Sequence, residues 1–258
     1  MADKAVEIFQ IPDFAVDYID LYLSKDEQEV IVRMGREHFT QERLEALLSK
    51  ITTEPKDFVK KAYARGVFNK VEENGRICFC VASFYKRLAF FSQYEAETFQ
   101  SVPENTRRLW DDWYVNCYAD GARPRLDKCF SNPNELIENA FFYSLDETIA
   151  LLDALPQEEF RLIPCNCRTV TLNCSETGRE FFCLQIGNGI NTEWDRGHGK
   201  PLSKEEAKSL IREANRKGLM HTTETNSAIC NCCACCCFPI RASERIGTKG
   251  LCRSGFMM

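Results

Sequence analysis

Apolar side chains recur at helical spacing along the first quarter of the chain. Helices are predicted to begin at Ser24, which has a glutamate three residues later as in a capping box, at Thr40 and at Pro55. Two β-prone runs on either side of Asn74-Gly75 then predict a β-hairpin. Three helices followed by a hairpin is the order of elements in a winged helix. We therefore expect a winged-helix-like region here.

The middle of the chain changes character twice. Residues 83–112 are rich in aromatic side chains at helical spacing and predict a buried helical core, whereas residues 118–134 are rich in turn formers and predict a linker or irregular segment. Capping boxes at Ser144 and Ser203 predict two further helices. Residues 158–174 and 180–187 are typical of strands. The whole pattern predicts an α+β fold.

We expect two domains. Residues 1–143 would form a winged-helix-like and helical domain for docking or dimerisation, and residues 144–258 a small cysteine-rich α+β domain that binds metal. The composition, with 258 residues of which 44% are hydrophobic, is sufficient for a sizeable core and argues against general disorder.

Charge narrows the class of partner. The chain has 33 basic and 38 acidic residues, a net charge of -5, and the first 145 residues alone contain 19 basic and 24 acidic residues. A nucleic-acid reader needs a basic surface to neutralise phosphates, so a protein partner is favoured over DNA. No apolar stretch is long enough for a membrane span. The acidic N-terminus lacks the apolar segment of a signal peptide, so we expect a cytoplasmic protein with reduced thiols.

Cysteine is the unusual residue, with 15 in the chain. Four lie in the first 164 residues and are expected to be buried and unreactive: Cys78, Cys80, Cys117 and Cys129. The other eleven lie in the last 94 residues, six of them between Cys230 and Cys237. Dense thiols in a reducing compartment indicate metal binding or redox chemistry.

The run from Cys230 to Cys237 admits two geometries. An extended chain would place Cys230, Cys232 and Cys236 on one side and the other three thiols on the opposite side. A loop would give Cys230, Cys233 and Cys236 the C-x2-C-x2-C spacing that holds a [4Fe–4S] cluster in ferredoxins. Either geometry offers about three thiolates to one site, so a further ligand must come from elsewhere in the chain.

Additional ligands are available upstream, at Cys165, Cys167, Cys174 and Cys183, and downstream at Cys252. Thiolates alone fit an iron–sulfur cluster or a structural zinc ion, but the spacing favours one or two [4Fe–4S] clusters, with zinc and pure thiol redox chemistry as alternatives. The predicted metal ligands are Cys165, Cys167, Cys174, Cys230, Cys233 and Cys236. The cofactor-binding set also includes Cys232, Cys235 and Cys237.

Three further residues could act beside these thiols, and no catalytic residue is predicted. Arg168 would raise the potential of a cluster, or else form a surface ion pair. His221 would be an iron ligand, a proton donor or a helix-end packing residue, and His198 is equally open. No phosphate-binding glycine motif is present.

The motifs PCNCR, EANRKGLMH and ICNCCACCC resemble iron–sulfur binding proteins of anaerobic bacteria and archaea that are labelled 4Fe–4S ferredoxins. In that family a winged-helix-like region precedes motifs of the forms P-C-x-C-R and C-N-C-C-x-C-C. The resemblance implies cluster ligands at Cys165, Cys167 and Cys174 and within the Cys230–Cys237 run. Many members continue into C-x2-C-x2-C-x3-C-P repeats, which this sequence lacks. The resemblance therefore implies electron exchange with a partner subunit.

The function expected from these observations is electron transport in anaerobic metabolism. The protein would carry electrons to or from a partner redox enzyme, as a carrier or redox subunit rather than an enzyme, and its N-terminal region would dock that partner or form a homodimer. Two alternatives remain open. One is a redox-sensing winged-helix transcription regulator, and the other is an iron–sulfur enzyme with an open iron site.

Overall fold

A computed structural model of the chain describes residues 2–131, 141–174, 183–224, 228–247 and 252–253. The chain divides into two compact units. Unit 1 comprises residues 1–110, 189–191 and 195–197, and unit 2 comprises residues 111–188, 192–194 and 198–258. The functional division into residues 1–143 and 144–258 stays a prediction.

Unit 1 consists of helices and one hairpin. Its elements are α1 (Ala2–Phe9), α2 (Asp13–Val16), α3 (Ile19–Tyr22), α4 (Lys25–Met34), α5 (Gln41–Leu48), α6 (Pro55–Ala64), β1 (Phe68–Glu73), β2 (Arg76–Val81), α7 (Phe84–Tyr94), α8 (Ala96–Ser101) and the first part of α9 (Glu104–Ser131). Most of the aromatic residues predicted to be core are buried, including Phe84, Phe91, Phe99 and Trp110, whereas Tyr85 and Tyr94 are half-buried. Phe84, Phe91 and Trp110 pack around Tyr22 through tilted and edge-to-face contacts.

The local signals in unit 1 are confirmed. Ser24 caps α4 with a complete capping box, and the Thr40 side chain caps α5. Strands β1 and β2 pair antiparallel around Asn74-Gly75, both of which have the positive φ angles of a tight hairpin turn, 51° and 72°. Phe39 forms an additional antiparallel bridge to Phe79 of β2.

The predicted irregular segment at 118–134 is wrong for its described part, because α9 continues to Ser131 and includes Pro124. Gly121 and Pro124 oppose a helix by about 1 and 3 kcal/mol. Ala119 and Ala122 are buried, so packing of this face outweighs that local cost. Residues 132–134 lie outside the described residues.

Unit 2 is an α+β unit built on one sheet. Its elements after α9 are β3 (Phe141–Tyr143), α10 (Leu145–Ala154), β4 (Glu159–Ile163), α11 (Asn166–Thr171), β5 (Cys183–Gln185), β6 (Lys200–Ser203), α12 (Lys204–Arg216), β7 (Met220–Glu224), β8 (Ala228–Cys232), α13 (Phe238–Ile246) and β9 (Cys252–Arg253). The strand order is β6-β4-β5-β8-β7-β3-β9, antiparallel except for the β3–β9 pair. The capping boxes at Ser144 and Ser203 are both present.

The two faces of this sheet differ in chemistry. Leu162, Leu184 and Ile229 are aligned across β4, β5 and β8, and they pack with side chains of α10 and α12 in an apolar core. Because side chains alternate along a strand, the neighbouring residues Cys183 and Cys230 point to the opposite face. One face of the sheet therefore carries the core of the unit, and the other face carries thiols.

Candidate metal centre

The cysteine run is a strand followed by a turn, which combines parts of both predicted geometries. Strand β8 ends at Cys232, the next residues form a helical turn, and α13 begins at Phe238. The backbone amide of Cys237 donates to the Cys233 carbonyl at 3.1 Å, which closes the turn. The strand therefore directs Cys230 and Cys232 to one face of the sheet, while the turn gathers the thiols that follow.

Four thiols converge at this turn, and we call them the outer thiol group: Cys174, Cys233, Cys235 and Cys236. The Cys174 sulfur lies 2.8 Å from that of Cys233, 3.3 Å from that of Cys235 and 3.2 Å from that of Cys236. The Cys235 sulfur lies 3.5 Å from Cys233 and 3.8 Å from Cys236. All four sulfurs lie within 4.8 Å of one another.

The outer thiol group fits a single metal ion. A tetrahedral ion with metal–sulfur bonds of about 2.3 Å holds its sulfurs about 3.8 Å apart. The observed separations of 2.8–3.8 Å approach that edge length, so the four sulfurs reach it by moving outward by less than about 1 Å. Four soft thiolates suit zinc or iron, and the donor set does not distinguish them.

The four cysteines of the outer thiol group differ in solvent exposure. Cys236 is fully buried, Cys174 and Cys233 are half-buried, and Cys235 is exposed. Hydrogen bonds from Cys236, Cys174 and Arg168 lower the pKa of the Cys233 thiol well below its usual range. Cys233 is thus held as a thiolate, the form that binds metal.

Six other thiols form a second cluster, the inner thiol group: Cys165, Cys167, Cys183, Cys230, Cys232 and Cys237. Its first half surrounds Cys165, whose sulfur accepts hydrogen bonds from the thiols of Cys167 and Cys183. These contacts lower the pKa of Cys165 and raise the pKa of both neighbours. One thiolate is therefore flanked by two thiols.

The second half of the inner thiol group repeats this arrangement around Cys232. Its sulfur accepts hydrogen bonds from Cys230 and Cys237, which lower its pKa. The halves meet where the Cys183 sulfur lies 3.8 Å from that of Cys230. Cys230, Cys232 and Cys237 are buried together. The group is thus a set of neighbouring thiols in unit 2, of which Cys167 and Cys183 are half-buried and the other four are buried.

Arg168 supplies positive charge beside both thiol groups. It lies in α11, is 3% exposed, and donates from Nη2 to the Asn231 carbonyl at 2.8 Å. It also donates a hydrogen bond to the Cys233 sulfur, and its charge is felt at Cys165. Negative charge at Cys165 and Cys233 raises the pKa of Arg168 against the opposing effect of burial. Burial excludes the surface ion pair that was one interpretation of this residue.

The segment that presents Cys167 and Arg168 was predicted to be extended, and this is wrong. Pro164 ends β4, Cys165 occupies the N-cap position, and α11 runs from Asn166 to Thr171. Proline cannot donate to the strand ladder, and its fixed φ angle suits the entry to a helix. Thr169 and Val170 of this helix are buried.

An ion pair fixes the two helices that flank the thiols. Asp111 accepts two hydrogen bonds from Arg241 of α13, at 2.7 and 2.6 Å, and one from Thr171 of α11 at 2.8 Å. The side chains of Arg241 and Asp111 are only 15% and 13% exposed. Phe238, at the start of α13, stacks near Tyr114 with ring centroids 4.8 Å apart. These contacts hold α11 and α13 at fixed positions.

Neither His221 nor His198 belongs to the outer thiol group. His221 is 1% exposed in β7, and its Nδ1 donates to Asn231 Oδ1 at 2.8 Å. It pairs directly with Asn231, whereas Thr222 and Met220 pair with the thiol-bearing positions of β8. Alternation therefore directs His221 away from Cys230 and Cys232. The backbone amide of His198 donates to the Glu193 carbonyl at 2.8 Å.

The structure sorts the predicted ligands into the two groups. Cys174, Cys233 and Cys236 come together in the outer group, whereas Cys165, Cys167 and Cys230 lie in the inner group. Cys235, predicted to bind the cofactor but not named as a metal ligand, completes the outer group. The inner group adds Cys183. The feature that could have identified Cys235 is the turn that follows β8. In such a turn, side chains two and three residues apart in sequence can come close together.

Among the described residues, Cys78, Cys80 and Cys117 lie outside both thiol groups. Cys78 is buried as predicted, whereas Cys80 and Cys117 are half-buried. Burial raises the pKa of both half-buried thiols, which keeps them protonated. The side chains of Cys129 and Cys252 lie outside the described part of the chain.

Comparisons with known proteins assign no family to this chain. The chain matches no protein-family model, no curated protein and no solved structure. Within the described ranges, no helix has the length and apolar character that crossing a membrane requires. The geometry thus defines a thiolate site that could hold a metal ion, and the reaction must be inferred from that site.

Proposed function

We propose that this protein is an iron–sulfur protein that carries electrons to or from a partner redox protein, with the outer thiol group as its surface-facing metal centre. The observation that carries the proposal is the exposure of Cys235 beside the buried Cys236. An electron carrier needs one edge of its centre near the surface, whereas a purely structural zinc site gains nothing from an exposed ligand.

Iron bound by four thiolates supplies a one-electron change of oxidation state without rearrangement of its ligands. The protein holds the four sulfurs close together and partly shields them from solvent. Arg168 adds a buried positive charge next to Cys233. That charge favours the reduced, more negative state, so it raises the reduction potential.

The choice of iron over zinc rests on the surplus of thiols and on the resemblance to the anaerobe iron–sulfur proteins. Structural zinc sites use four ligands in a closed set. Unit 2 presents ten thiols in two neighbouring clusters, which is more than one zinc ion requires. A [4Fe–4S] cluster, with one thiolate on each of four irons, remains part of the proposal. It is not placed at the outer thiol group, because the sulfur separations there suit a single iron.

We further propose that unit 1 is a winged-helix-type docking module. Helices α4, α5 and α6, the β1–β2 hairpin and the Phe39–Phe79 bridge follow in the order of that fold. Its candidate recognition helix, α6, has its basic character reduced by the ion pair of Lys61 with Asp57 at 2.6 Å. Together with the net acidity of the region, this favours a protein partner or a second copy over DNA.

The test is metal analysis and voltammetry of the full chain purified without oxygen. We expect iron to be present and a reversible one-electron couple to be measured. The double variant Cys235→Ser/Cys236→Ser should lose the couple of the surface-facing centre, while the matched double variant Cys78→Ser/Cys117→Ser should retain it. Zinc as the sole metal, or iron without any reversible couple, would overturn the proposal.

A further inference from the structure

The inner thiol group is a second set of soft ligands, separate from the outer group. Three of its sulfurs belong to the sheet: Cys183 on β5 and Cys230 and Cys232 on β8. The antiparallel register that pairs Leu184 with Ile229 places Cys183 opposite Cys230. Residues two apart in a strand share a face, so Cys232 joins them.

The other three sulfurs come from the elements that cover this face. Cys165 and Cys167 lie at the start of α11, and Cys237 immediately precedes α13. The backbone amide of Phe238 donates to the Cys167 sulfur at 3.4 Å, which joins the start of α13 to α11. Sheet and helices thus surround one volume with sulfur on several sides.

The inner sulfurs are too spread out for one ion. Among the described residues, only the outer thiol group has three or more ligand atoms that all lie within 4.8 Å of one another. The inner sulfurs instead spread over one face of the sheet and the helix starts that cover it. Cys183 lies 3.8 Å from Cys230, and Cys232 follows on the same face of β8. Cys165, Cys167 and Cys237 lie at the starts of α11 and α13. Such an arrangement suits a cluster of several metal atoms, in which each thiolate binds a different atom.

The surroundings of the inner thiol group favour an iron–sulfur cluster. Met220, Ala228 and Ile240 pack against it, and Cys237 is 1% exposed. Within the described part of the chain, no carboxylate or histidine joins these sulfurs in a group of candidate ligands. His221 of β7 points to the other face of the sheet. An apolar, all-thiolate enclosure is typical of iron–sulfur centres.

The two groups explain why the Cys230–Cys237 run contains cysteines that are adjacent in sequence. Cys232 belongs to the inner group and Cys233 to the outer group, because the chain leaves the strand between them. Cys236 and Cys237 divide in the same way where the turn meets α13. A segment that supplies ligands to two neighbouring sites therefore contains adjacent cysteines, one for each site.

We propose that the inner thiol group binds a polynuclear iron–sulfur cluster, buried behind the single-metal outer group. The proposal rests on the proposed function for its choice of iron. Two peptide bonds, Cys232–Cys233 and Cys236–Cys237, each join a ligand of one centre to a ligand of the other. The outer group then exchanges electrons with a partner, and the inner cluster is a second electron site on six thiols, four of which are buried.

The experiment uses the full chain, purified without oxygen and reconstituted with ferrous iron and sulfide, with iron and acid-labile sulfide counted per chain. Labile sulfide reports on the inner cluster alone, because a single iron on four thiolates contains none. We expect about four labile sulfides per chain. The double variant Cys165→Ser/Cys232→Ser should retain less than about one tenth of this sulfide while its single-iron signal persists. The matched variant Cys235→Ser/Cys236→Ser should show the reverse.

Two outcomes would overturn the inner cluster: a wild-type chain without labile sulfide, or full sulfide in the Cys165→Ser/Cys232→Ser variant. Because that variant could fail to fold, the wild-type protein enriched in ⁵⁷Fe is also measured by Mössbauer spectroscopy. We expect one single-iron component and one cluster component. A single-iron component alone would refute the inner cluster and leave the proposed function standing. A cluster component together with zinc in the outer group would support the inner cluster and refute the outer thiol group as the redox centre.

Discussion

Replacing Arg168 by glutamine removes the buried charge that both thiol groups share. In the native structure its guanidinium, 3% exposed, donates to the Asn231 carbonyl at 2.8 Å and to the Cys233 sulfur. A hydrogen bond to a charged group contributes about 1.5–3 kcal/mol. Burial leaves little solvent screening, so we expect the outer group to lose roughly this amount of metal-binding free energy. That loss corresponds to metal binding that is about 10- to 150-fold weaker.

The same substitution changes the pH dependence of metal binding in a definite direction. Arg168 helps to lower the pKa of Cys233, so its removal raises that pKa and lets protons compete with the metal at higher pH. A loss of about 1.4 kcal/mol corresponds to one pH unit. Because several thiolates take up protons as the metal leaves, this change is divided among them. We therefore expect the midpoint of metal release on acidification to move upward by a fraction of a pH unit.

Competition with a chelator of known affinity, repeated across the pH range, measures both effects. Arg245→Gln is the matched control, because Arg245 lies in the same unit but forms a partly exposed ion pair with Asp112. Exposed ion pairs contribute less than about 1 kcal/mol, and this one lies away from the thiols. If Arg168→Gln folds normally and binds metal as tightly as Arg245→Gln, the role assigned to the buried charge is wrong.

Three further substitutions test the scaffold. Asp111→Ala leaves Arg241 buried without its counter-ion, so the unfolding free energy of unit 2 should fall by about 3 kcal/mol in urea denaturation. Gly66→Ala should destabilise unit 1 by at least about 1 kcal/mol in thermal unfolding, because Gly66 has φ of 76° and an added Cβ would lie 2.9 Å from Phe90. Burial lowers the pKa of His221, so stability should fall as pH drops below about 6.5, and His221→Gln should flatten this dependence.

Each of these substitutions has a control or a contrary result. Glu104→Gln removes an exposed ion pair with Arg108 and should cost less than about 0.5 kcal/mol, so an equal cost at Asp111 would contradict the buried-pair argument. Gly121→Ala lies in a helix with open space around the added Cβ and should be neutral or stabilising by up to about 1 kcal/mol. A stability profile of His221→Gln that is as steep as that of the native chain would remove His221 from the acid response.

Sequence predicted best where the signal is local. The capping boxes at Ser24, Ser144 and Ser203 and the Asn74-Gly75 turn depend only on neighbouring backbone groups, and all are present. The helical course of α9 through Pro124 was missed, because it depends on tertiary packing that overrides propensity.

The division of the thiols into two groups could not be predicted from the sequence, for a different reason. Spacing alone treats Cys232 and Cys233 as equivalent neighbours, but they separate where β8 ends. That end point, and the arrival of Cys174 from a segment 59 residues away, are properties of the sheet and not of the run. Cysteine density was therefore enough to indicate a site that could hold a metal ion, but not to divide the thiols into two groups.

The most direct measurement is the metal and labile sulfide content of the native chain and of Cys174→Ser. Cys174 contacts the three outer thiols at 2.8–3.3 Å. We predict that the native chain binds iron, and that Cys174→Ser loses about one iron per chain while its labile sulfide is unchanged. Iron content that is identical in the two proteins, or zinc in place of iron in both, would contradict the assignment of the outer thiol group as a redox metal centre.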